Sequence, residues 1–268
     1  MENLDKKYAL VTGAFGGMGR ETIKLLTSNG YTVFALDKTI LEQTDNVIPI
    51  KADLSLSEDV ASAFNQVKAV TNHLHAIVHF AGVYMLNSLV EISDDEFDKI
   101  LKINLYGAFY VNKTFLPILD KGSKIIMATS ELAPLDPLPF TGIYAVTKSA
   151  LDKYAYSLKM ELQLLDISVS VLRAGAIDTG MLGASTSALD KFIKNTSLYQ
   201  CNAKRFNDVV NSVESKCVSP KKVAEKVYKI LSAKNPKFIY NINRNKLLLL
   251  LNALPKKMQI YIIKKILK

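Results

Sequence analysis

Tyr8-Ala9-Leu10-Val11-Thr12-Gly13-Ala14-Phe15-Gly16-Gly17-Met18-Gly19 decides how this chain of 268 residues folds. The first five residues form a short apolar and β-branched run, and four glycines follow it. From Arg20 to Ser28 apolar residues recur at Ile23, Leu25 and Leu26 with helical spacing. The order is strand, glycine turn, helix. Positions without a side chain let backbone approach a diphosphate, and the free N–H groups opening a helix favour an anion there. Glycine also closes tight turns for conformation alone, so the surrounding sequence must carry the reading.

The same alternation continues outward. Tyr31 to Leu36 reads as a buried strand ending at Asp37, and Val47 to Ile50 as another ending just before Asp53. Val60, Phe64, Val67 and Val70 recur with helical spacing, and Ala76-Ile77-Val78 leads into Ala81-Gly82. Asp94 to Leu119 reads as one long helix, Ile125 to Ala128 as a strand, Tyr144 to Leu165 as a helix and Val169 to Leu172 as a strand. Strands apolar on both faces, alternating with helices, imply a parallel sheet covered on both sides. The expected organisation is one α/β domain over residues 1–244, with a substrate loop or lid at 178–216, followed by a basic amphipathic tail at 245–268.

Composition narrows the class. Nearly half the residues are hydrophobic, so a sizeable core can be buried. Cys201 and Cys217 are too few for a disulfide scaffold, and no leader-like segment precedes the first strand, so a reduced, cytosolic protein is expected. The formal net charge of +9 is concentrated: residues 226–268 hold eleven bases and no acid, whereas residues 1–225 hold 23 bases against 25 acids. A nucleic-acid footprint would need basic residues across the working face of the body, so that partner is excluded. His73, His75 and His79 have no cysteine or carboxylate at ligand spacing, which argues against a metal.

Two features point to chemistry. Asp37 ends the second strand 18 residues after Gly19, where an acid accepts the ribose hydroxyls of NAD and repels a 2′-phosphate; its neighbour Lys38 leaves NADP possible. Tyr144 and Lys148 lie four apart on one helix face, so the ammonium is expected close to the phenol, lowering its pKa and making it a usable acid/base.

Thr12-Gly13-x3-Gly17-x-Gly19, Ala81-Gly82, Asn104, Ser130 and Tyr144-x3-Lys148 occur in the order and near the distances of the short-chain dehydrogenase/reductase family, and the chain resembles that family over residues 7 to 240. The nearest look is to hydroxysteroid and retinol dehydrogenase-like members. The resemblance implies a three-layer αβα Rossmann fold with about seven strands and hydride transfer between a nicotinamide cofactor and an alcohol or ketone. It assigns proton exchange to Tyr144, a hydrogen bond to the substrate oxygen to Ser130, ribose binding to Lys148, and a structural water to Asn104. Cofactor contacts are implied at Gly13, Phe15, Gly17, Met18, Gly19, Asp37, Asp53 (to adenine), Leu54, Ala81, Gly82, Tyr144, Lys148, Gly175, Ile177 and Thr179. Two departures stand out: His79-Phe80 replaces the family's Asn-Asn before Ala81-Gly82, so His79 is the candidate brace for the central strand. Ala174 replaces a proline and is expected to loosen the turn beside the nicotinamide.

Apolar residues around Leu132 to Phe140 and in the insertion, including Leu132, Leu138 and Met181, predict a pocket for a bulky lipophilic alcohol or ketone of hydroxysteroid or bile-acid type. Alternatives are a 3-oxoacyl-carrier-protein reductase-like enzyme and a non-catalytic NAD-binding sensor. Met258, Ile262 and Ile266, set among lysines, make residues 245–268 either a peripheral membrane contact or a helix packed on protein. Relatives by resemblance are homodimers or homotetramers.

Overall fold

The structure is a computed structural model. Its described residues are 6–40, 43–214 and 217–268, and within these the side chains of 180–186 and 211–214 are not described. The chain begins β1 (Lys7–Thr12), α1 (Gly17–Thr27), β2 (Tyr31–Asp37), β3 (Val47–Lys51), α2 (Ser57–Lys68) and β4 (Leu74–His79). It continues through α3 (Asp94–Leu101), α4 (Gly107–Phe115), β5 (Leu119–Ala128), α5 (Gly142–Leu162) and β6 (Ser168–Ala174). The remainder is α6 (Gly180–Asn195), α7 (Gln200–Glu214), α8 (Pro220–Ser232), β7 (Ile239–Ile242), α9 (Lys246–Ala253) and α10 (Lys256–Leu267).

Among the described residues the seven strands pair in parallel in the order β3-β2-β1-β4-β5-β6-β7. The order reverses between β1 and β4, which is where such sheets bind ligands beyond the carboxyl ends of their strands. Alternation within β1 explains the layering: Leu10 packs with Phe34, Ile77 and Ile125 against α2, α4 and α5, whereas Ala9 and Val11 face Leu26, Val227 and Ile230 of α1 and α8. Both faces are dry, as the apolar strands require.

Four details differ from the sequence expectation. The long helix from Asp94 is interrupted: a wide π turn at Lys102–Tyr106 separates α3 from α4, and β5 starts at Leu119, six residues before the apolar run. The segment expected as a loop or lid at 178–216 contains two helices, and Leu189, Phe192, Ala203 and Phe206 on them build a separate small core with Leu86 and Leu267. α8 and β7 escaped the reading of periodicity, because four residues of β7 are too few to show a period. Around Ala174, where a looser turn was expected, the backbone is tied to its neighbours: its carbonyl accepts from Glu131 N at 3.0 Å, and Gly175 N donates to Ile242 O at 2.9 Å. No helix among the described residues is long and apolar enough to cross a membrane.

Candidate active site

The glycine turn is shaped by what it touches. Gly13 has φ +62, and a Cβ there would lie 2.6 Å from Ala81 N; Thr12 Oγ1 accepts from the same Ala81 N–H at 3.3 Å. Gly17 opens α1, and a Cβ on it would come within 2.8 Å of Thr179 Cγ2. The turn can pack this closely against Ala81 and Thr179 only because these positions lack side chains, and the opening of α1 beside it is the kind of helix start that favours a diphosphate. Asp37 Oδ2 accepts from Phe15 N at 3.0 Å and its Oδ1 from Thr39 N at 3.2 Å, so the strand-end acid fixes the turn itself. Met18 and Gly82 line the large cavity described below. Leu54 instead packs against Gly107, where α4 starts.

Asp53 is engaged within the protein. Its Oδ1 accepts from Ser55 N and Oγ at 3.0 and 2.7 Å, and its Oδ2 pairs with Lys38 Nζ at 2.7 Å. Although partial burial opposes ionisation, these bonds from Lys38 and Ser55 hold the carboxyl below the usual range. Lys38, the residue that left NADP possible, is tied to the acid expected to meet adenine.

Ser130 lies just beyond β5, Tyr144 and Lys148 lie on α5, and Asn104 lies in the π turn, all four of them buried. Tyr144 hydrogen-bonds Ser130 and packs edge-to-face on Tyr84, ring centroids 4.8 Å apart. Asn104 accepts from Val83 N at 2.8 Å through Oδ1, while its amide donates to Val83 O and Thr147 Oγ1, each at 3.0 Å. Thr147 Oγ1 in turn donates to Tyr144 O at 2.8 Å. The wide turn thus delivers one side chain that fastens the loop after β4 to α5. Thr147, fully buried one residue before Lys148, is the member of this chain that motif reading passed over.

The electrostatics reverse one expectation. Burial pushes the Tyr144 phenol up to about 12, with the Ser130 hydrogen bond opposing, and pushes the Lys148 ammonium down to about 8. Lys148 Nζ donates to Ala128 O at 3.2 Å and stands 5.8 Å from the Tyr144 ring centroid, and in this state the phenol's shift is set by burial against the Ser130 hydrogen bond.

His79, fully buried and pushed down to about 4 by that burial, bonds Asn112 Oδ1 through Nε2 at 2.9 Å; Asn112 Nδ2 donates to Tyr154 OH at 3.3 Å. The brace therefore runs from β4 to α4 and α5 rather than between strands. His73 pairs with Asp120, and His75 Nδ1 accepts from Tyr8 N, so neither approaches His79's site.

Ser130, Tyr144 and Lys148 line one end of a cavity of about 470 Å³. Leu132, Leu138, Gly175, Ile177 and Thr179 also line it; the side chain of Met181 lies outside the described residues. Phe140, and Leu189 and Phe192 of the insertion whose apolar residues were expected to wall the pocket, pack instead in the small core that α6 and α7 build. Much of the far wall comes from residues the motif reading did not assign to the pocket, among them Leu247, Leu251 and Leu254 of the α9 region and Ile262, Ile263 and Ile266 of α10. Glu131, beside Ser130, anchors this wall by accepting from Asn245 N at 2.6 Å, and burial raises its carboxyl pKa.

Comparisons with known proteins agree with this geometry. The family described as short chain dehydrogenase matches residues 7–190. The 3-ketodihydrosphingosine reductase of Bacteroides thetaiotaomicron is 22% identical over 236 residues, covering 88% of this chain and 87% of that protein. Estradiol 17-beta-dehydrogenase 2 of Mus musculus is 30% identical over 195 residues, 68% of this chain and 51% of that protein. The crystal structure of a short chain dehydrogenase family protein from Francisella tularensis superposes with a TM-score of 0.74 at 24% identity, covering 88% of this chain and 97% of that one. The family match and the parallel sheet with its glycine turn agree, and the chain belongs to the short-chain dehydrogenase family of oxidoreductases that use a nicotinamide dinucleotide.

Proposed function

We propose that this protein interconverts a bulky lipophilic secondary alcohol and its ketone, a hydroxysteroid or bile-acid-like compound, with NAD(H). The carrying observation is a mainly apolar cavity, rich in leucine and isoleucine, that is also lined by Ser130 and Tyr144. The mouse relative named for estradiol supports the substrate class, and the strand-end carboxylate of Asp37 supports NAD. When bound, the nicotinamide supplies or accepts the hydride.

The chain's own part concerns the oxygen. A carbonyl oxygen seated between Ser130 Oγ and Tyr144 Oη accepts a hydrogen bond from each. With a pKa near 12 in the free site, Tyr144 holds its proton at neutral pH and is an acid in the direction of ketone reduction. As the proton leaves, the phenolate is stabilised by the Lys148 ammonium on the same helix face. Asn104, acting through Thr147, positions Tyr144. Gly13, Phe15, Gly17, Met18, Gly19, Asp53, Leu54, Ala81, Gly82, Gly175, Ile177 and Thr179 make up the proposed cofactor contacts and their support, and Leu132, Leu138 and Met181 belong to the proposed substrate wall.

Tyr144→Phe tests the mechanism. The ring keeps its packing on Tyr84 while the acid is lost, so turnover should fall about 10²- to 10⁴-fold with cofactor affinity retained. Unchanged turnover refutes the role. A panel of steroid, bile-acid, fatty and sugar alcohols with NAD and NADP tests the substrate class.

We further propose a homodimer or homotetramer that covers the exposed Tyr106, Phe109, Val146 and Met160 around α4 and α5, with sedimentation as the check. Residues 245–268 carry the exposed apolar and basic groups of a peripheral membrane contact, and that contact belongs to the proposal.

A further inference from the structure

The cavity and the basic segment are one feature. α9 and α10 are both held on the body: Leu248 and Leu251 of α9 line the cavity and Asn252 Oδ1 accepts from Asp136 N at 2.8 Å, while in α10 Leu267 is buried in the small core, its carbonyl accepts from Asn202 Nδ2 at 2.6 Å, and Lys256 pairs with Asp136. The segment is thus seated on the domain at several points, and its inner side chains complete the substrate wall. Three of those wall residues are also largely open to solvent, Leu247 at 70%, Leu250 at 64% and Ile266 at 54%. Residues that line a cavity and face solvent together frame its mouth.

The outer surface of the same segment has an unusual make-up. Ile260 and Tyr261 are 66% and 64% exposed and do not line the cavity. Lys246, Lys257, Lys264, Lys265 and Lys268 share the segment, and residues 226–268 contain no acid. Large exposed aliphatic and aromatic side chains interleaved with lysine suit an interface where apolar groups enter acyl chains and ammonium groups meet anionic headgroups. A second copy docking by this face would bring its own lysines against these, and like charges oppose that pairing.

We propose that α9 and α10 dock on an anionic lipid bilayer with the mouth framed by Leu247, Leu250 and Ile266 opening into it, so that a lipid ketone or alcohol reaches Tyr144 without passing through bulk water. The docking rests on charge and exposure alone, whereas the substrate's route rests on the function proposed above. Nothing in the path from mouth to Tyr144 needs a membrane-spanning element.

Flotation tests the docking. Full-length protein is mixed with vesicles of phosphatidylglycerol and phosphatidylcholine, or of phosphatidylcholine alone. It should float with the first, remain below with the second, and detach in high salt. Ile260→Glu combined with Tyr261→Glu should abolish flotation, since neither residue lines the cavity. A steroid ketone dissolved in the anionic vesicles should then be reduced about tenfold more slowly by the double variant, while the same ketone delivered on cyclodextrin is reduced at the wild-type rate. Protein that ignores anionic vesicles, or a double variant that still floats, overturns the docking. Retention on polyglutamate without flotation also overturns it and assigns the lysines to an acidic protein. Equal loss of both rates overturns the route, because the segment then acts on the cavity alone. A wild-type enzyme with no turnover in either delivery refutes the substrate class proposed above, while flotation still decides the docking.

Discussion

Raising the pH from 7 to 9 should remove one charge from the catalytic group and leave its phenol untouched. Burial places Lys148 at about 8 and Tyr144 at about 12 in the free protein. With those values the ammonium is roughly nine-tenths populated at pH 7 and about one-tenth at pH 9, while the ionised phenol stays on the order of one in a thousand. If the ammonium stabilises the phenolate that forms during ketone reduction, kcat/KM for the reduced cofactor should be flat below pH 7 and fall about tenfold for each unit above 8. That parameter reports groups of the free enzyme, which is the state these values describe. The assay is the loss of reduced-nicotinamide absorbance at saturating ketone across a buffer series. Lys148→Met should be slow at every pH and lack the break. A wild-type profile flat to pH 10, or a break near 8 that survives in Lys148→Met, refutes the reasoning.

Three further outcomes follow from geometry already given. Gly13→Ala places a Cβ 2.6 Å from Ala81 N at φ +62, and urea unfolding should show a loss of about 2 kcal/mol or more; a loss under about half that counts against the fit of the turn. His79 titrates at about 4 when folded against 6.5 ordinarily, so the unfolded chain binds its proton first as pH falls through that window. Stability should therefore decline between pH 6.5 and 4, by at most about 3 kcal/mol from this residue, and His79→Asn should flatten that decline in urea titrations. Asp37→Ala frees Phe15 N and removes the charge at the strand end, so KM for NAD should rise and the NADP-to-NAD ratio of kcat/KM should increase about tenfold or more; an unmoved ratio refutes the assignment of specificity to Asp37.

The sheet was legible because its signal is local. Apolar runs such as Ala9 to Val11 and Ala76 to Val78 report their own burial on both faces, and the glycines after Thr12 report a backbone need that no other residue meets. Tyr144 and Lys148 followed from their spacing on one helix face and Ser130 from the family resemblance, and the structure brings all three to one cavity. What stayed hidden depends on contacts between distant segments. The direction of the Tyr144 shift required knowing how deeply the phenol is buried, which outweighs its hydrogen bond with Ser130. The wide turn at Asn104 is invisible to helical periodicity, since its apolar neighbours keep nearly the same spacing. The far wall of the cavity joins Leu132 to residues more than a hundred positions away, and a leucine run alone does not say what it faces.

That far wall has a consequence for how such a protein diversifies. The proton machinery is assembled from β5, α5 and the π turn, elements that also hold the core together, so a change in any of them disturbs the others. Much of the wall is carried by one continuous stretch, residues 245–267, docked through a few anchors such as Glu131 and Asp136. Exchanging that stretch would retune what the cavity admits without reopening the sheet, because its side chains reach the cavity while its backbone takes no part in the strand ladder.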